Sequence, residues 1–458
     1  MLFNSYAFLL VFLPAAILIC FAVDSQPALR RPVLIALSLA FYSYWDIRFL
    51  PLMLLSIGVN WYLAGLYAAT NRSALVTFGI VANLLVLGIF KYTNFFADNF
   101  AALGIPVGHF DIALPLGISF FIFHHIMYLI DLRAGKAPIY PLDRYALYIC
   151  YFPQAISGPL ARWSEVMDQF GQQIFRPGWE KRCARGAALI VIGLLQKVLL
   201  ADPIGAAIDP IYAQALHGPV TDGKSWAALA FAFQVFFDFS GSSDVAIGVA
   251  LILGVTLPQN FDAPFRTTSI VVFWQRWHMT LARFLRDYVF TRLSRMKIIG
   301  GKDRMLRAHI AIILTMALCG LWHGAGWTFV VWGTLQGVAI VFATLWSRNL
   351  RSPPAVVGWA ATVVFFVVTA VFFRAGSLQA VMNIYEGLAI LPTVRPDGRN
   401  TMIAAALCAV LLPSSQKICE RLTMRPNMFV PALLGLAMVL VLVRLGERQS
   451  YQFIYFQF

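Results

Sequence analysis

The sequence predicts an all-α, polytopic membrane protein of about ten to twelve transmembrane helices arranged as a single membrane domain. Three observations carry that prediction. Hydrophobic residues make up 60% of the chain and charged residues only 12%, against roughly 45–50% and 25% in soluble domains. Apolar runs recur from one end of the 458 residues to the other, so lipid is the solvent for much of the surface and residues 1–458 read as one unit. The runs are continuous rather than alternating, which suits helices and not the strands of a membrane barrel.

A helical span needs about 20 apolar residues. The runs 3–23, 33–45, 49–69, 74–90, 113–130, 186–201, 225–253, 308–322, 326–346, 355–373, 401–413 and 427–444 reach or approach that length. The shorter ones are expected to tilt or to lie inside the bundle, where protein satisfies their backbone. The first, Phe3–Val23, has no basic residue before it and reads as a retained span rather than a signal peptide. Two stretches break the pattern. From Arg162 to Arg185, Trp163, Phe170, Phe175 and Trp179 alternate with Arg176, Lys181, Arg182 and Arg185, the composition of a helix lying at head-group depth. From Arg276 to Arg307 there are nine Lys/Arg against Asp287 and Asp303, the mark of a cytoplasmic face.

The net charge of +14 is distributed in such short clusters, so it points to membrane lipids and small anionic substrates and not to nucleic acid. The six cysteines (Cys20, Cys150, Cys183, Cys319, Cys408, Cys419) show no CxxC spacing, so neither a disulfide framework nor a metal site is expected.

Among the seven histidines, His109, His217 and His309 read as loop or surface residues. His323 lies in Leu321-Trp-His-Gly-Ala-Gly-Trp327, between two apolar runs. A helix starting near Ala308 would carry it roughly 22 Å into a hydrocarbon core of about 30 Å. Ionisable groups at such depth mark sites or pathways, and the flanking Gly324 and Gly326 point to a helix break or a close backbone approach. Imidazole suits proton transfer near neutrality, so His323 is the candidate general base, with a helix-bridging structural histidine as the plain alternative. His278, in Phe273-Trp-Gln-Arg-Trp-His, is the second candidate, placed to orient substrate or to stabilise developing charge. In the run 225–253, Asp238, Ser240 and Asp244 interrupt apolar sequence, which means a wet cavity or polar partners; Asp238 with an arginine and Asp244 with Ser240 are the pairs expected. His124 and His125 are adjacent, point to different sides of a helix, and make a poor metal site, with at most one facing a cavity.

Several segments in order resemble the membrane-bound O-acyltransferase (MBOAT) family, in its bacterial branch that acetylates exopolysaccharides such as alginate. They are Phe3–Phe8, Lys91–Phe96, Leu114–Phe120, Phe152–Leu160, Asp238–Gly248, Asn260–Phe265, Phe273–Asp287, Gly320–Gly333 and the tail Phe453–Phe458. The resemblance implies helices ringed around a central funnel, His323 as catalytic histidine and His278 as a second active-site residue. It implies no bound cofactor: acetyl-CoA, or an acyl carrier, serves as donor substrate on the cytoplasmic side of the bacterial inner membrane. It also implies periplasmic acetyltransferase partners and a polysaccharide acceptor. Trp322, Trp277, Arg276, Gln275, Asp238, Ser240 and Asp244 are the candidate substrate-contacting residues. The chain departs from the family pattern at His124-His125, Ser242 and Gln336, positions that bear on cavity shape and acceptor choice. For the oxyanion of acyl transfer, His278, the Trp-flanked backbone and an arginine are equally available donors. D-alanyl or peptidoglycan-type acyl transfer fits the same residues. A transporter using Asp238, Asp244 and His323 as a relay, or an envelope scaffold, remains the reading from other classes.

Overall fold

The structure, a computed structural model, describes every residue except 157, 222, 393–395, 425–428, 448–453 and 455–458. Among the described residues the regular structure is entirely helical. Eight helices are long and apolar enough to cross a membrane: α1 (Ile47–Thr70), α2 (Ser73–Ala102), α3 (Trp179–Ala215), α4 (Ser225–Ile252), α5 (Arg304–His323), α6 (Trp327–Asn349), α7 (Ala355–Arg374) and α8 (Phe429–Glu447). Arg399–Leu411 and Ser415–Met424, bent by 73°, would form a ninth as one broken span. The sequence count of ten to twelve includes helices too short for that test. Residues 3–23 yield a π-turn (Ala7–Phe12) and an 11-residue helix (Leu13–Val23), 33–45 falls in the 17-residue helix Pro27–Ser43, and 113–130 yields the 16-residue helix Ile118–Arg133.

The chain divides into two compact units. The first comprises Met1–Ile192, Ser242–Gln259 and Cys419–Arg448, the second Gly193–Gly241, Asn260–Ile418 and Gln449–Phe458. In the first, Asn60 of α1 and Asn83 of α2 exchange side-chain hydrogen bonds at 2.7 and 3.4 Å, which satisfies two amides inside apolar helices. Gly186 and Gly248 mark a helix crossing, because a Cβ on either would stand 2.5–2.6 Å from the other's carbonyl oxygen.

The interfacial helix expected over Arg162–Arg185 is corrected. Only Trp163–Val166 and a 3-10 turn at Gln169–Gly171 precede α3, which starts at Trp179. Side chains hold much of the intervening stretch. Asp24 accepts from Ile174 N at 2.7 Å and Phe175 N at 3.0 Å, Arg182 donates to the Ile174 carbonyl, and Arg176 donates to Gly254 O at 3.2 Å. Pro177-Gly178 then separates this strap from the helix.

In the second unit α5 and α6 form a tight hairpin. A Cβ on Gly320 would lie 2.1 Å from Phe329 O, and one on Gly333 2.1 Å from Met316 O; only glycine allows backbones so near. Around that hairpin an aromatic core gathers Phe236, Phe265, Phe273, Trp277, Phe366 and Phe373, all under a tenth exposed.

Candidate active site

His323 is the last residue of α5, and Gly324 caps the helix in extended conformation. A Cβ on Gly324 would fall 2.1 Å from the Phe329 ring, so the glycine is needed for the chain to turn so closely into α6. α5 opens at Arg304, one turn before the expected Ala308, which places His323 about 28 Å along the axis. By length alone that is the far end of an apolar slab, not its middle. Protein, rather than depth in lipid, buries the imidazole: it is 3% exposed, with ring centroids at 4.7 Å from Trp322, 5.0 Å from Phe373 and 5.6 Å from Trp332. It lines a cavity of ≈ 10 Å³ together with Trp277, Trp332, Phe231, Phe366 and Phe373.

His278 stands between the short helices Ile270–Arg276 and Met279–Phe284 with φ 41° and ψ 53°. Left-handed backbone is uncommon for a residue with a Cβ and is held only where its surroundings over-determine it. Asn260 provides the hold. Its backbone oxygen accepts from Met279 N at 2.9 Å, and its Oδ1 accepts from Thr280 Oγ1 at 3.0 Å and Thr280 N at 3.4 Å. A backbone N–H can only donate, so the atom facing it is the amide oxygen. His278 Nδ1, 3.0 Å from the same Oδ1, must therefore carry the proton. The lone pair of the neutral ring sits on Nε2, which is buried and has no hydrogen-bond partner among the described residues. Burial pushes this imidazole down to about 3, well below its usual range, so it is neutral at pH 7. Trp322 neighbours both imidazoles, with its centroid 6.4 Å from His278 and 4.7 Å from His323.

The remaining expected residues divide. Trp277 and Trp322 join the two histidines, whereas Arg276 is half-buried and Gln275 exposed. Asp238, 2% exposed, meets a lysine: Lys197 Nζ lies 2.5 Å from its Oδ1 and 2.6 Å from Asp202. Its Oδ2 accepts from Ile454 N at 2.8 Å; the rest of the Phe453–Phe458 tail lies outside the described residues. Ser240 donates to Gln196, and Asp244 belongs to the first unit. Both His124 and His125 are buried in that unit. Ser56 Oγ donates to Met53 O, so it accepts from His125 Nε2 at 3.3 Å, and Tyr145 donates to His125 Nδ1 at 2.6 Å. His125 thus bridges helices as a neutral ring with both nitrogens used. Two residues escaped the sequence reading. Asn260 stood in a quoted segment without a role, and Trp332, one turn into α6, had only its place in the Gly320–Gly333 segment as a signal.

A multi-pass helical protein thus holds two imidazoles among aromatic rings, one of them at a glycine-broken helix end. The chain belongs to the membrane-bound O-acyltransferase family, whose model matches residues 39–382. It is 33% identical over 428 residues to the peptidoglycan O-acetyltransferase of Helicobacter pylori, covering 85% of this chain and 80% of that protein. It is 35% identical over 405 residues to a probable alginate O-acetylase of Azotobacter vinelandii, covering 85% and 78%. A teichoic acid D-alanyltransferase of Streptococcus thermophilus is 30% identical over 244 residues, covering 52% of this chain and 58% of its own. The protein is a multi-pass membrane O-acyltransferase, and the transporter and scaffold readings give way to an enzyme.

Proposed function

We propose that the protein moves an acetyl group from cytoplasmic acetyl-CoA towards hydroxyls of an extracytoplasmic polysaccharide such as alginate, from the bacterial inner membrane, with His323 as general base. The observation that supports this most is His323 at the break between α5 and α6, lining a cavity that Trp277, the neighbour of His278, also lines. In the reaction the acceptor oxygen attacks the thioester carbonyl carbon while His323 takes the hydroxyl proton. The tetrahedral intermediate then collapses, the C–S bond breaks, and the proton passes from His323 to the leaving sulfur. His278, neutral and locked by Asn260, offers Nε2 as an acceptor that orients the attacking hydroxyl. Trp322 holds both rings apart, and Asp238 with Ser240 acts through the packing of α3 on α4. An acyl carrier is the alternative donor to acetyl-CoA, periplasmic acetyltransferases are the partners, and residues 1–458 act as one membrane domain.

The relative named as a peptidoglycan O-acetyltransferase matches over as much of this chain as the alginate relative does, which favours a peptidoglycan acceptor equally. The experiment is CoA release from acetyl-CoA by purified protein, with alginate or peptidoglycan fragments as acceptor, for wild type, His323→Ala and His278→Ala. A general base supplies about 10²–10⁴-fold, so His323→Ala should lose at least that much. Full turnover by folded His323→Ala protein would overturn the assignment, and the acceptor that raises release names the polymer.

A further inference from the structure

Two buried indoles lie side by side, Trp332 against His323 and Trp274 beside it, and they differ in one respect. Trp274 donates its Nε1–H to Gln336 Oε1 at 3.3 Å, and Gln336 donates on to Thr369 at 2.8 Å. Trp332, 5.8 Å from Trp274 between ring centroids and 3% exposed, has no acceptor for its own Nε1–H among the described residues. A buried indole N–H ordinarily finds a partner, because leaving it dry forfeits its hydrogen bond to water without replacement. Gln336 is four residues along the same face of α6, yet its oxygen is given to Trp274. The orphan is explained if its acceptor arrives with the substrate.

Its position says what that acceptor is. Trp332 lines the same cavity as His323, with ring centroids 5.6 Å apart and planes at 83°. The cavity, ≈ 10 Å³, is about the space one water-sized oxygen requires. Phe231, Val235, Phe366, Ala370 and Phe373 add walls without a side-chain donor, and Trp277, whose indole also carries an N–H, closes the rest. An indole N–H cannot accept a proton, so beside a basic imidazole it can serve only as a hydrogen-bond donor.

We propose that Trp332 Nε1–H is the oxyanion donor of the acyl transfer, an inference that rests on the reading of His323 as general base. As the acceptor oxygen bonds to the carbonyl carbon, the carbonyl π electrons move onto its oxygen, and that oxyanion takes the Trp332 hydrogen bond. His323 holds the hydroxyl proton at this stage. When the C=O bond re-forms the C–S bond breaks, and the proton goes to sulfur. The donor is in place before the charge appears, in a site that excludes water, where such a bond counts most.

Trp332→Phe keeps the ring and removes only the N–H. With wild type and His323→Ala measured in parallel, it should lower kcat for CoA release about 10²–10³-fold and leave KM for acetyl-CoA nearly unchanged. A second measurement does not depend on turnover: the ¹⁵N-indole resonance missing from the Trp332→Phe spectrum should shift in wild type on adding the ketone analogue acetonyl-CoA, and not with CoA alone. Wild-type kcat in Trp332→Phe beside an inactive His323→Ala would overturn the donor and leave the base standing. If His323→Ala keeps its turnover, the base reading fails and the indole shift decides alone: its presence supports Trp332 as donor, its absence overturns it.

Discussion

One amide, Asn260, determines what His278 can do. Because its oxygen takes donors from Thr280 as well as from the imidazole, it fixes the tautomer and the left-handed backbone together. The same burial predicts a pH dependence. The folded-state pKa lies near 3 and the unfolded value near 6.5, so between these the unfolded chain takes up a proton that the folded one refuses. His278 therefore contributes stability that is fully present above about pH 6.5 and is lost as pH falls towards 3, roughly 2 kcal/mol by pH 5. Thermal unfolding in detergent at pH 7.5 and 5 should show a smaller drop for His278→Gln than for wild type; equal drops would mean the ring is hydrated. His278 and His323 were legible in the sequence because each carries a local signal, an imidazole beside tryptophan, with glycine after His323. Asn260 was not, since its role depends on a side chain eighteen positions away that only folding brings near.

At the scale of elements, the charged cluster within α3 and α4 carries a large stability consequence. A π-turn over Gln196–Ala201 widens α3, and within it Lys197, 5% exposed, meets Asp202 and Asp238. Removing one partner of a buried ion pair strands the other charge. Lys197→Met should therefore cost about 3–5 kcal/mol, read as a lower unfolding midpoint in detergent, and Lys197→Met with Asp238→Asn should recover part of it. A double variant no better than the single one would show that Asp202 alone needs the lysine. The sequence marked Asp238 as odd and proposed an arginine partner; a lysine supplied by another helix answered instead. Apolar periodicity locates helices but is silent on which faces meet, and so on which charges do. The strap at 171–176 shows the same limit in reverse: its aromatic-and-cationic composition fits an in-plane helix, but Asp24, far away in sequence, claimed its backbone donors.

Taken whole, the molecule keeps four of its six cysteines buried, with Cys183 and Cys408 half-buried. N-ethylmaleimide should therefore modify two thiols promptly in mild detergent and six after denaturation; prompt reaction of Cys319 would mean that α5 is not packed as described. What the sequence determined by itself was the solvent and the class. A composition of 60% hydrophobic residues in runs of helical length has no stable alternative to membrane helices, because backbone groups in lipid must be satisfied within each segment. Short local motifs likewise sufficed to mark the family, and to single out His323 and His278 as candidates. Tertiary structure decided the partners: which carboxylate meets Lys197, which amide locks His278, and which of two neighbouring indoles is left without an acceptor for its N–H among the described residues. Those choices rest on distances of a few ångströms between residues far apart in sequence, and helix packing sets them where no local pattern can.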